Sequence, residues 1–222
     1  MHGQLLVVSG PSGSGKGTVV EFLKKTPGYD FSVSVTTRAP RVGEVEGVNY
    51  YYITNERFEE LKQAGELLEF TSFCGTSYGT PVSEIKKAEK LDRALVFDIE
   101  TEGAANVKRL RPEAILVMLI PPTFQELERR LRGRKSESEE KIANRLAKAK
   151  QEILLFGNYD YIVVNETGGQ EEAAKVLDAI VRAKICLAAG GPKNKADEEL
   201  LAFVSKFETK SHPDVVEKFF CN

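Results

Sequence analysis

The stretch Ser9–Thr18, "SGPSGSGKGT", follows the apolar run Leu5–Val8 and carries glycines at the spacing G-x-x-x-x-G-K. Between a strand and a helix, such a loop turns successive backbone N–H groups onto one anion. The helix N-terminus adds positive potential, and the lysine reaches the β- and γ-phosphates of a nucleotide. The expected donor site is therefore Gly10, Pro11, Ser12, Gly13, Ser14, Gly15, Lys16, Gly17 and Thr18. Gly17 stands where such loops usually present a hydroxyl to magnesium. Thr18, one residue on, is turned by about 100° around the helix. Magnesium keeps several waters when phosphates hold it, so a missing protein ligand does not remove the site. The run "LVFD" ends on Asp98, which has two readings: a carboxylate acting on magnesium through water, or a cap for the next helix. No direct metal ligand is expected.

A second group lies downstream. Arg38 and Arg41 carry the planar forks that suit phosphate, and Tyr50 and Tyr78 add hydroxyl donors. Taken alone, two arginines are ordinary solvated surface. Glu69, in "ELLEF", offers a carboxylate that accepts two parallel hydrogen bonds. Guanine presents such a donor pair, N1–H and the 2-amino group, on one edge; adenine does not.

Such residues need rigid elements behind them. Short continuous apolar runs at Leu5–Ser9, Phe31–Thr36, Leu95–Asp98, Ile115–Ile120 and Tyr161–Val164 read as strands buried on both faces. Helical patterns alternate with them. Val19, Val20 and Leu23 follow the glycine loop, and Thr123–Glu126 reads as a capping box ahead of Leu127 and Leu131. Ile142, Leu146, Ala149, Ile153 and Phe156 make a long amphipathic stripe, and Leu177, Ile180 and Ile185 another. The alternation predicts an α/β fold with a parallel sheet between helical layers. Two regions break the rhythm: residues 33–84, with several glycines and a tyrosine run, read as an insertion with its own small sheet, and the charged stretch 132–141 as a solvated loop. Beyond Gly190-Gly191-Pro192 a separate helical stripe begins.

Composition bounds the rest. The chain has 222 residues, enough for one α/β domain with insertions, and its net charge of −2 gives no bulk argument for nucleic acid. No apolar run approaches the roughly 20 residues of a membrane helix. Cys74, Cys186 and Cys221 have no metal spacing and fit a reducing compartment, so the cytoplasm is the expected location. Cys74 reads as packing. Oligomeric state is not legible.

In this order, "SGPSGSGKGT", "FSVSVTTRAPRVGEVEGVNYYY", "ELLEF", "YGT", "VFDIE" and "LRGRKSESEEKIANRL" resemble guanylate kinases, nucleoside monophosphate kinases of the P-loop NTPase class, over about residues 3–188. The resemblance implies a P-loop three-layer core at 1–32 and 85–188, a GMP-binding insertion at 33–84, a short lid at 132–141 and an extension of unassigned role at 189–222. It implies MgATP and GMP as substrates, in purine nucleotide metabolism, with no nucleic acid or membrane partner. Ser34, Glu69 and Thr80 would read guanine, with Glu100 standing where the family usually has Asp. Arg38, Arg41, Tyr50 and Tyr78 would hold the GMP phosphate. Lys16, Arg38, Asp98, Arg134 and Arg145 would act in phosphoryl transfer, with Arg130 and Asn165 on the ATP side. The Gly17-Thr18 pair matches the monophosphate-kinase form of the loop. Two other readings remain at this point: a non-catalytic module of the same fold, and a kinase for another phosphorylated acceptor.

Overall fold

A computed structural model describes residues 3–73, 75–88, 93–133 and 138–221. The expectations for Arg134, for the middle of the 132–141 stretch and for Cys74 lie outside these residues.

Five strands form a wholly parallel central sheet, β1 (Leu5–Ser9), β2 (Tyr29–Phe31), β7 (Ala94–Asp98), β8 (Ile115–Ile120) and β9 (Tyr161–Val164), in the order β2-β7-β1-β8-β9. The apolar runs are continuous because both faces are covered. Successive side chains of β1 point to opposite sides: Leu5 and Val7 enter one cluster with Phe97, Met118 and Ile162, while Leu6 and Val8 enter the other with Val96, Val117 and Leu177. The run expected as a single strand, Phe31–Thr36, is divided. Its first residue closes β2 on the core sheet, and Val35–Thr36 form β3 in a second sheet.

That second sheet has the order β4-β3-β6-β5, with β4 (Tyr51–Tyr52), β5 (Leu67–Phe73) and β6 (Thr76–Pro81). Beside it lies α2 (Asn55–Gln63), capped by the Thr54 hydroxyl on Arg57 N at 3.2 Å. The two sheets join through paired crossings. Ser32 N donates to Val96 O in the core, and Val33 N donates to the buried Glu84 carboxylate at 2.9 Å. Glu84 opens α3 (Ser83–Ala88), so both crossing segments are tied at one point.

The helices cover the core sheet from both sides. α1 (Lys16–Leu23) buries Val19, Val20 and Leu23 and packs on α7 (Gln170–Ala188). The other face carries α4 (Thr101–Leu110), α5 (Phe124–Arg132) and α6 (Glu139–Ile153). α5 starts as the sequence suggests, with Thr123 Oγ1 accepting from Glu126 N at 3.1 Å. Glu126 does not return the bond; its carboxylate takes Arg129, Arg130 and Thr167 instead.

The C-terminal segment spans both layers. α8 (Lys195–Ser205) seats Val204 against the α7 side of the sheet. Residues 207–209 then run antiparallel to β9: Ile162 N donates to Phe207 O at 2.8 Å, and Thr209 N to Asp160 O at 3.0 Å. α9 (Val215–Cys221) closes on the opposite face, where Phe219 is 2% exposed and lies edge-on to Phe124 of α5. Burying a side chain of that size contributes roughly 2–3 kcal/mol. The apolar stripe beyond residue 190 thus covers its own domain.

Candidate active site

The glycine loop leaves the end of β1 in the middle of the core sheet and enters α1. Gly10 has a φ of 138°, and a Cβ there would stand 2.1 Å from Leu119 O of β8, so only glycine lets the loop start this close to the neighbouring strand. Lys16 folds back over the loop, its Nζ donating to Gly10 O at 2.6 Å, across the space the loop encloses. That space, about 250 Å³, is lined by residues 11–18 and Asp98. Asp98 reaches it because Val8 and Asp98 are register partners at the carboxyl ends of adjacent strands. Partial desolvation raises the carboxyl's proton affinity, opposed by Lys16 and Lys24, although the side chain still meets open water. A carboxylate facing a phosphate loop from the next strand fits a hydrated divalent cation. Asp98 is not the N-cap of α4, which is Glu100.

The loop is held from behind by three side chains. Asn165, fully buried after β9, donates from Nδ2 to Ser14 O at 2.8 Å. Arg130 of α5 donates to Ser14 O at 3.2 Å and to Asn165 O at 2.8 Å, with its Nε on Glu126. Arg145 of α6 donates to Ser12 Oγ at 3.0 Å. Three elements distant in sequence therefore converge on one loop.

A second hollow of about 150 Å³ opens on the inserted sheet, where Ser34, Tyr50, Glu69, Tyr78 and Glu100 line it. Thr80 Oγ1 lies 3.3 Å from both Ser34 Oγ and Glu69 Oε1. Glu69 Oε2 accepts from Glu100 N at 2.7 Å, at the N-terminus of α4, where helix geometry favours an anion. Burial nevertheless pushes the Glu69 carboxyl up to about 7, opposed by that backbone hydrogen bond. Gly103, in the first turn of α4, makes the seat possible: a Cβ there would come within 2.7 Å of Glu69 Oε2. Gly103→Ala therefore moves the carboxylate while suiting the helix, where alanine is favoured by about 0.5–1 kcal/mol. We expect unchanged or slightly lowered thermal stability, the helix gain offsetting part of the lost bond to Glu69, together with a roughly tenfold higher KM for the acceptor, from a misplaced charged hydrogen bond. A melting curve and an acceptor titration check both halves.

Neither Arg38 nor Arg41 lines this hollow; Arg38 lies beside it, over the Tyr50 ring. Arg38 meets Glu44 through two parallel bonds of 3.0 and 2.9 Å, and its guanidinium lies 5.6 Å from the Tyr50 ring centroid. Glu44 also accepts from Arg41 N at 2.7 Å and Tyr52 OH at 2.9 Å. Those donors, Arg38 first, hold its carboxyl down to about 2. Tyr50 and Tyr78 stand edge to face, 5.8 Å apart. Glu44 was not among the residues singled out from the sequence. Its signal is faint: an acidic residue inside the Arg- and Tyr-rich "RAPRVGEVEGVNYYY". A larger hollow of about 500 Å³ lies on the far edge of the sheet, beside residues 208–210, and holds none of these groups.

The sequence model for guanylate kinase matches residues 2–184. The chain belongs to the guanylate kinase family. Guanylate kinase of Clostridioides difficile is 39% identical over 93% of this chain and 96% of its own length, a span that includes part of the C-terminal segment. Guanylate kinase of Streptococcus agalactiae is 46% identical over 80% of this chain and 87% of the relative. Among solved structures, guanylate kinase from Anaplasma phagocytophilum superposes with a TM-score of 0.61 at 32% identity, covering 82% of this chain and 85% of that one. The chain is an enzyme, an ATP:GMP phosphotransferase that yields ADP and GDP. Among its described residues no helix is long and apolar enough to cross a membrane.

Proposed function

We propose that the two hollows divide the substrates, ATP on the glycine loop and GMP on the inserted sheet. The observation that carries this reading is the contrast in their linings: backbone N–H groups and Lys16 around one, and a half-buried carboxylate with hydroxyl neighbours in the other. Glu69, Ser34 and Thr80 read the guanine edge, while Arg38, Arg41, Tyr50 and Tyr78 hold the GMP phosphate. The division of the chain follows: 33–84 carries the acceptor, 1–32 and 85–188 carry the donor, and 132–141 acts as a lid bringing Arg134 over the site. Residues 189–222 brace the core.

In the reaction an oxygen of the GMP phosphate attacks the γ-phosphorus in line. The bond from that phosphorus to the β–γ bridging oxygen breaks, and ADP leaves with the electron pair. The acceptor phosphate is ionised at neutral pH, so alignment and charge neutralisation matter more than a strong base. Lys16 supports the β- and γ-phosphates. Arg38, Arg134 and Arg145 spread positive charge over the transferring group. Asn165 and Arg130 fix the loop's backbone and border the ATP side. Magnesium, bound with ATP, would be held by the phosphates and by Asp98 through water, and would neutralise phosphate charge. ATP and GMP are intracellular nucleotides, and three thiols without a pairing pattern fit the same compartment, the cytoplasm.

Arg41→Met tests the acceptor assignment. Losing one charge-assisted contact to phosphate raises the KM for GMP by roughly 10–100-fold, while the KM for ATP stays within about twofold. Unchanged GMP kinetics would sink the phosphate role.

A further inference from the structure

One contact ties the two halves of the site together and belongs to neither nucleotide subsite. Lys148 of α6 places its Nζ 2.6 Å from Glu100 Oε2, in the lining of the guanine pocket, and 3.7 Å from Glu152 Oε1. Arg145, Lys148 and Glu152 lie three and four residues apart, on one side of the helix. One α6 face thus touches the glycine loop through Ser12 and the guanine pocket through Glu100.

Stability does not account for this pair. Lys148 and Glu100 side chains are 55% and 54% exposed, and ion pairs so open to water add little to folding. The surrounding charge pattern gives a different reason. Glu69, whose Oε2 is held by Glu100 N, and Glu152 both act on Glu100 as like charges; Lys16 also faces Glu69 and Glu152, but the ammonium paired with the Glu100 carboxylate is that of Lys148. Without that cation, the Glu100 side chain is repelled by its two acidic neighbours and turns to open water.

We propose that Lys148 is a positioning residue for guanine recognition: it holds the Glu100 carboxylate in the pocket lining beside Glu69, so that a second acceptor meets guanine's 2-amino group. The proposal rests on GMP occupying this pocket. Lys148 itself touches no substrate; it acts through Glu100.

The test compares GMP with IMP, which lacks the 2-amino group. Lys148→Met raises the KM for GMP by roughly five- to tenfold, the scale of one weakened charged hydrogen bond, and leaves the IMP constants within about twofold. The preference for GMP over IMP falls by the same factor, while kcat and the KM for ATP hold. Lys148→Arg restores the preference. In a Glu100→Gln background, Lys148→Met adds less than about twofold, because the pair no longer exists. Equal losses with GMP and IMP would overturn the proposal, as would an undiminished effect in the Gln background. If Lys148→Met yields no folded protein, Lys148→Gln carries the same comparison. A Glu69→Gln variant run alongside separates the failures: normal GMP kinetics there sinks the pocket assignment, not the role of Lys148 alone.

Discussion

Lys16→Met lowers kcat by roughly 10²–10³-fold, the scale seen when one preorganised electrostatic contact to a developing charge is removed. Two observations set this expectation. Lys16 opens α1, and its ammonium lies 2.6 Å from Gly10 O, spanning the hollow that the loop encloses. The backbone cradle does not depend on that side chain: Gly10 stays confined by Leu119 and the loop carbonyl of Ser14 stays tied to Asn165 and Arg130. Methionine keeps the aliphatic stem, so the fold persists and the charge alone is lost. A coupled ATP–GMP assay beside a circular dichroism melt separates the two. Turnover within tenfold of the parent would show that the phosphates rely on other groups.

Glu69→Gln lowers kcat/KM for GMP by roughly 10²–10³-fold, because a site built around a partly desolvated charged acceptor loses most when its pairing partner is removed. Glutamine is nearly isosteric, yet its NH2 would face donors at Glu100 N or on guanine. The same residue sets an acid limit. Its carboxyl lies near 4.5 in the unfolded chain and about 7 in the folded one, and only the ionised form accepts both guanine donors. The KM for GMP therefore rises as pH falls through about 7, by up to tenfold per pH unit well below it, and this dependence vanishes in the Gln variant. Stability runs the other way. A carboxyl whose folded pKa exceeds its unfolded one binds protons more tightly when folded, so its contribution is present below about 4.5 and is lost as pH rises towards 7. The Gln variant consequently gains melting temperature relative to the parent between pH 5 and 7.5. A weaker acceptor and a more stable protein are expected together. Parallel acid limbs in the two proteins would refute the assignment.

The core was legible because parallel strands buried on both faces leave an unambiguous mark, the continuous apolar run. β8 and β9 occur where Ile115–Ile120 and Tyr161–Val164 announce them. Phe31–Thr36 misled because two short strands of different sheets share one apolar stretch, and the crossing between them is fixed by Glu84, a residue some fifty positions away in the chain. The loop and its lysine were readable from spacing alone. Glu69 was readable by its chemistry. What escaped were residues defined by their partners: Glu44, whose role depends on three donors folding around it; Gly103, visible only once Glu69 lies against α4; and Lys148, one of three lysines on a charged helix until Glu100 faces it.

The antiparallel pairing of residues 207–209 with β9 has a consequence for how the chain is made. β9 flanks the sheet, and a bare outer strand offers its N–H and C=O groups to any other extended chain. β9 is the last strand of the core sheet to be made, and its cover follows some forty residues later. At roughly 5–20 residues per second that interval lasts seconds. Over those seconds the nascent protein carries an adhesive border, which Phe207 and Thr209 seal only once they too have been made. Residues 207–209 thus serve as a closing seam, and a ribosome that stalls before them releases a sheet whose outer strand is left bare to its neighbours.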